Sequence, residues 1–442
     1  MGLDAALATR ATIAAAALLA GCAPLPRVIT HGDIAAWTPA HFAAPVASAA
    51  GAAAEREKAL ATIRAAEADG ADDETTLAAL WAVAFFDIEP EAGRGLLRRE
   101  LSDAARPLAQ RPVEHQRALI AAAHVIDPAL AAPLLAPQLA ALATPREFAA
   151  TAHTLLQAGA DHAIRERIRR ALAERADRDE DPRLEALRER LDRADGSAAS
   201  PPRPPLADLF AGSWRNGFPV VYSLQRRDRR HAGLVLVRSA DGRFVRESDG
   251  RFFARAHLAL ATTQLPGTIT NGNTPQGLFT IAGAGFARNV WIGPTPYLWS
   301  KVPFEASVAE FFHSAAEQPW SRELYDALLP PTWRGYRPMH EAWLAGRAGR
   351  TEMLAHGTTI DAEAYRARPW YPLTPSAGCL VAGEHWAADD GRMVASDQLA
   401  LVKAFTRDGF DRGYLVVVEI DDAARPVALE EVLAEVRAGE AR

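Results

Sequence analysis

Between residues 53 and 194 the apolar positions recur three and four apart, as in TTLAALWAVAFF, HQRALIAAAHVI and FAATAHTLLQAG, the spacing of a single helix face. Each is followed by a turn and a second helical stretch, DIEPEAGRGLLRREL, DPALAAPLLAPQL and DHAIRERIRRAL, ending at Leu101, Leu139 and Leu172. Steps of 38 and 33 residues between those ends predict helical-hairpin repeats or a plain Ala-rich bundle. After ADGSAASPPRPP, Ala194 to Pro205, the pattern turns to alternation. GLVLVRSADGRFVR predicts a hairpin, and HLALATTQ, LFTIAG, VWIG, EMLAHGTT and GYLVVVEI add strands, with helices at SVAEFFHSAAEQ and SRELYDALL. The chain therefore reads as multidomain. An all-α region (53–194), repeat or bundle, precedes a Ser/Pro linker (195–206), a mainly-β domain with a few helices (207–424) and a C-terminal helix or tail (425–442).

The N-terminus has a different character. Arg10 precedes ATIAAAALLAG, a run shorter than the ~20 residues that cross a bilayer, and this predicts a signal-peptide core over residues 1–21. It ends in LAGC, Leu19 to Cys22, which resembles the lipobox of bacterial lipoproteins, where the cysteine is diacylated and becomes the new N-terminus. That resemblance implies an exported, periplasmic protein anchored by lipid on Cys22, and Ala23 after it, in place of aspartate, points to the outer membrane. Residues 22–52, rich in Ala and Pro, read as a tether.

Charge narrows the partners. Lys and Arg (49) are outnumbered by Asp and Glu (55), the formal charge is -6, and no basic block stands alone, so nucleic acid is excluded as a partner. Cysteine usage narrows the chemistry. With Cys22 carrying lipid, Cys379 is the one thiol left, without an intramolecular partner in an oxidising compartment. Such a thiol is either buried and inert or kept for its reactivity. The histidines show no metal spacing: His115, His124, His153 and His162 are scattered through the helices, and His340, Glu341 and His356 form no HExxH-like set. No metal or cofactor is expected.

Three stretches carry the candidate chemistry: NGNTPQGLFTI (Asn271 to Ile281), HGTTI (His356 to Ile360) and SAGC (Ser376 to Cys379). In that order they resemble the catalytic domain of the L,D-transpeptidases, the YkuD-like family, whose marks are a TPxGxF strand entry, an HG step and an SxGC nucleophile loop. The resemblance covers roughly residues 207 to 424. It implies a cysteine nucleophile, Cys379, with His356 as its base. Gly378, Ser376 and Gly357 shape the nucleophile and oxyanion loops, and Thr274 and Gly277 belong to the strand entry beside the substrate. A backbone carbonyl near Gly357 orients the imidazole, so no carboxylate is required. A thiolate nucleophile calls for a thiol pKa lowered from about 8.5 toward roughly 3.5–7.5.

The implied reaction is acyl transfer on peptidoglycan stem peptides through a thioester on Cys379, with an amine as acceptor, or with water as an L,D-carboxypeptidase. Two departures stand out. Val381 occupies the place where the family carries an arginine, and 23 positions separate His356 from Cys379. Arg366 or Arg368 in that insertion is a candidate replacement cation, while Trp370 and Tyr371 either line a substrate groove or pin the loop. The competing reading is a non-catalytic peptidoglycan-binding or scaffold lipoprotein whose helical region recruits a protein partner.

Overall fold

The structure, a computed structural model, describes residues 29–195 and 202–442. The signal peptide, Cys22 and residues 196–201 of the linker lie outside the described residues. The chain divides into two compact units: a helical one from Ala53 onward that also includes Thr262–Gly272, and a second built from the segment up to Ala52, Pro201–Ala261 and Asn273–Arg442.

The first helix, α1 (His31–Ala36), is capped by Thr30 and belongs to the second unit. The helical unit then follows: α2 (Ala49–Glu67), α3 (Asp73–Phe86), α4 (Pro90–Leu101), α5 (Val113–Ile126), α6 (Pro128–Leu135), α7 (Pro145–Ala158), α8 (His162–Ala173) and α9 (Pro182–Ala194). Starts are set locally. Asp72, Asp127, Asp161 and Asp181 accept from first-turn amides, and proline opens α4, α6, α7 and α9, where its missing N–H costs nothing. Helices α3, α5, α7 and α9 pack successively in one row and α4 packs on α6 in another, the layout of stacked helical hairpins. The core is mostly aliphatic, from Leu80, Leu97, Leu119, Leu135 and Leu187 with Phe148, and Leu265 and Ile269 of the 262–272 segment complete it.

In the second unit, after the short α10 (Leu206–Leu209), come β1 (Val220–Arg226), β2 (Gly233–Arg238), β3 (Arg255–Leu258), β4 (Gly277–Gly285) and β5 (Tyr297–Lys301). Helices α11 (Val308–Phe311), α12 (Arg322–Leu328) and α13 (Glu341–Arg347) precede β6 (Met353–His356) and β7 (Leu380–Ala382). A small hairpin of β8 (Glu384–Trp386) and β9 (Met393–Ser396), then α14 (Asp397–Thr406), β10 (Gly413–Asp421) and α15 (Leu429–Glu440), end the chain. Eight strands close a barrel in the order β1-β10-β4-β5-β6-β7-β3-β2, parallel at β1–β10 and β6–β7 and antiparallel elsewhere. Alternation points Val221, Val235, Phe279, Leu298, Ala355, Leu380 and Leu415 into one core.

This corrects the expected fold class. The second half is not a mainly-β domain of the L,D-transpeptidase type with a few helices but a closed, mixed barrel accompanied, from residue 202 on, by six α-helices. The physical reason lies in the long connections. Between β5 and β6 the two helices expected at SVAEFFHSAAEQ and SRELYDALL form as α11 and α12, and the same connection adds α13, whose buried Ala342, Trp343 and Leu344 hold it as a helix rather than a surface loop. Conversely, VWIG forms a turn, and the second arm of GLVLVRSADGRFVR makes only isolated bridges.

The ends of the chain are also built in. Residues 29–52, read as tether, place Ile34 in the barrel core and Phe42 against Met393 and Leu399, with Ala43 bridged to Arg392. In the C-terminal stretch, Glu431 of α15 takes the fully buried Arg226 guanidinium at 2.7 Å, which Asp421 holds from the other side at 2.6 Å.

Candidate functional site

The site grows from the parallel pair β6–β7. Ala355 faces Leu380 and His356 faces Val381 in register. One residue before β7, Cys379 falls level with Leu354, whose N–H donates to Sγ at 3.3 Å. The thiol in turn approaches the Glu352 carbonyl at 3.5 Å and packs with Leu354, Ile292 and Tyr297 outside the barrel core. His356 stands two residues beyond Leu354, about 6.6 Å along the strand at ~3.3 Å per residue, and alternation puts the two side chains on one face. The structure thus brings thiol and imidazole to one face of one strand pair, the thiol at its N-terminal end and the imidazole at its C-terminal end. It does not join them by a hydrogen bond, because the thiol is turned onto the β6 backbone.

His356 Nδ1 lies 2.5 Å from the Gly357 carbonyl. A carbonyl only accepts, so Nδ1 carries the proton and Nε2 keeps its lone pair. Burial holds the imidazole neutral, its pKa brought down to about 4 even though the Gly357 contact works the other way. Burial also pushes the Cys379 thiol up, to about 11, against the Leu354 amide and the Arg350 charge, which both favour the thiolate. The direction is opposite to that expected for a nucleophile. In this conformation both groups are neutral at pH 7.

The nucleophile loop is tied down by its own residues. Ser376 Oγ donates to the Cys379 carbonyl at 2.8 Å and accepts from the Gly378 amide at 3.1 Å, so that amide is engaged inside the loop rather than facing a substrate oxyanion. Gly378 sits at φ +114, where a side chain would be strained. Thr274 Oγ1 donates to the Gly378 carbonyl at 3.0 Å, which makes this buried threonine a brace of the loop. Gly277 is pressed against Ala342, Tyr325 and Met339, so close packing explains its glycine.

The insertion residues fall elsewhere. Arg366 is exposed and paired with Glu363, which also accepts from Tyr371 Oη at 2.9 Å. Trp370 packs with Leu258, Leu260, Tyr365 and Leu373, pinning the loop. The cation that bears on the thiol is instead Arg350, buried just before β6, with Nη1 donating to the Asn273 carbonyl at 2.8 Å.

Two further groups escaped the sequence reading. His257 of β3, fully buried with Nδ1 3.0 Å from Ser223 Oγ, is kept neutral by burial and by the nearby His356, its pKa lowered to about 3. Glu384, the first residue of β8, sends a buried carboxyl against Gly357: a Cβ at 357 would lie 2.1 Å from Glu384 Cδ. Its Oε2 accepts from the Thr358 amide at 2.9 Å, and its Oε1 accepts from Thr295 Oγ1 at 2.7 Å and Ser396 Oγ at 2.8 Å. The only signal was a single carboxylate, in CLVAGEHW, directly after an apolar strand.

Among the described residues no group of three or more His, Cys, Asp or Glu is placed to hold a metal ion, and no helix is long and apolar enough to cross a membrane. Compared with family models, with curated proteins and with solved structures, the chain matches none.

Proposed function

We propose that the protein is a cysteine acyltransferase acting on peptidoglycan stem peptides, exported and anchored by lipid on Cys22. The observation that carries the chemistry is the contact of His356 Nδ1 with the Gly357 carbonyl, from which the proton is assigned to Nδ1 and Nε2 is left as a base on the strand that flanks Cys379. The substrate class rests on the sequence resemblance.

In the reaction the thiol leaves the Leu354 amide and gives its proton to His356 Nε2. Sulfur adds to the acyl carbon, the amide C–N bond breaks, and the departing amine takes the proton back from His356 as the thioester forms. An acceptor amine, or water, then adds to the thioester carbon, its proton passing through His356 to the leaving sulfur. With Ser376 Oγ occupying the Gly378 amide, that donor becomes available to an oxyanion only when the loop shifts.

The test is intact mass of the full chain after incubation with a carbapenem. An adduct on the wild type that is absent from Cys379→Ala supports the assignment. A thiol that takes neither carbapenem nor alkylating agent in the native protein overturns it. One observation, the burial of Cys379 with its raised pKa, favours the second reading, a peptidoglycan-binding or scaffold lipoprotein with an inert structural thiol.

A further inference from the structure

Gly357 O and Thr358 N belong to one peptide unit. At its carbonyl end it accepts from His356 Nδ1, and at its amide end it donates to Glu384 Oε2. We infer that Glu384 is the positioning residue of the base, a carboxyl that holds and polarises His356 through this interposed peptide; the inference rests on the reading of His356 as the base.

The physical case has three parts. First, hydrogen bonds in a chain strengthen one another, so a carboxylate drawing on the Thr358 N–H makes the Gly357 oxygen a better acceptor for Nδ1–H. That favours the tautomer with a basic Nε2, the service an aspartate renders directly in a Ser-His-Asp site. Second, the geometry is over-determined. Thr295 and Ser396 hold the other carboxyl oxygen, Trp386 Nε1 donates to the Thr358 carbonyl at 2.8 Å, and any residue but glycine at 357 would drive the carboxyl away. Third, among the described residues no cation pairs with Glu384, so its charge is left to act on the peptide dipole.

Burial raises the Glu384 carboxyl to about 7, its three donors pull it down, and Asp397 of α14 adds to the rise. Asp397 is itself paired with Arg255 of β3 at 3.1 Å and feels His385 of β8, and His356 of β6, across the shared peptide, is neutral. The carboxyl is therefore protonated below pH 7 and ionised above it, and the base is assisted on the alkaline side.

The experiment uses the full chain and two readouts: the pH profile of Cys379 alkylation by iodoacetamide, and the Nδ1/Nε2 tautomer of His356 from imidazole nitrogen shifts. Glu384→Gln keeps an acceptor for Thr358 but cannot ionise. It should lower alkylation about 10- to 100-fold above pH 7, the range seen when a histidine's outer partner is removed. It should also erase the step near pH 7 and shift the tautomer away from Nδ1–H. If the variant does not fold, Thr295→Val, which removes one donor from Oε1, must move that step to higher pH. An unchanged profile and tautomer in a folded Glu384→Gln, or an unmoved step in Thr295→Val, overturns the inference. A wild-type thiol that fails to react sinks the proposed function instead, and the tautomer measurement alone then decides the role of Glu384.

Discussion

Glu147 in the helical unit and Glu384 in the barrel unit both carry carboxyls withdrawn from solvent, and they are partnered in opposite ways. Glu147, with no exposed side-chain surface, is met at Oε1 by Arg117 at 2.7 Å and by Arg146 at 3.3 Å, both carried on helices of the same unit, while its Oε2 has no hydrogen-bond partner among the described residues. Glu384 meets two hydroxyls and one backbone amide. A carboxylate set between guanidiniums forms an ion pair within the helical core and serves packing. One surrounded by dipoles alone sits near its own titration point and can change state with its surroundings. The contrast separates a group that supports a fold from a group that supports a neighbouring base.

The largest expected effects lie on the reacting side. Cys379→Ala should abolish acyl-enzyme formation, and His356→Ala should slow it by roughly 100- to 10,000-fold, the worth of a general base; burst kinetics would report both. On the folding side, Glu147→Ala strands the largely buried Arg146, whose charge burial already disfavours, and should cost about 3 kcal/mol in urea unfolding while leaving Cys379 alkylation as in the wild type. Equal losses of reactivity in Glu147→Ala and Glu384→Gln would erase the distinction between the two carboxyls.

Gly357→Ala should fall between the two classes. Its Cβ collides with Glu384, so a stability loss of about 1–3 kcal/mol should accompany a loss of thiol reactivity resembling that of Glu384→Gln. Acid tests the same contrast through stability. His356 and His124 have folded pKa values of about 4 and His257 about 3, all depressed by burial, so the stability they contribute is present above the unfolded value near 6.5 and is lost as pH falls through 4. Each contributes a slope of about 1.4 kcal/mol per pH unit within its window. Glu384, raised to about 7, works in the opposite sense, its contribution being complete below the ordinary carboxylate value and lost as pH rises through 7. Urea midpoints at pH 7 and 4.5 should show the histidine loss, and Glu384→Gln should steepen it. The smallest effect belongs to Arg366→Ala, a solvated pair with Glu363, which should leave both the urea midpoint and the thiol reactivity as in the wild type.

How much of this was legible follows from where each feature's cause resides. The helices of residues 53–194 are announced by their own spacing, caps and prolines, all local. The pairing of HGTTI with SAGC is visible as motif order, and the parallel register of β6 and β7 gives it a physical basis. What stayed hidden is set by partners distant in sequence. Strands VVYSLQR and YLWSK become strands because the barrel closes on β10 and β6. The role of Glu384 depends on meeting Gly357 from 27 residues away, and that of Arg350 on Asn273. The raised thiol pKa arises from burial, which no residue type near Cys379 signals. Arg366, Trp370 and Tyr371 drew attention because they are chemically conspicuous, yet two of them answer Glu363 and the third answers its apolar neighbours.

The connectivity of the two units has a consequence for biosynthesis. As the ribosome delivers the chain, α1 and Phe42 emerge first, but the residues that bury them, such as Met393, Leu399 and Leu415, come some 350 residues later. The helices α2–α9 emerge next, yet Leu265 and Ile269 of their core follow only after β1, β2 and β3 have been made. Each unit therefore waits for a segment synthesised after part of the other. A nascent chain halted between residues 205 and 260 should expose the gap left by Leu265 and Ile269, and no single cut at the Ser/Pro linker yields two fragments that each contain a whole unit. The order of synthesis interleaves segments that belong to different units.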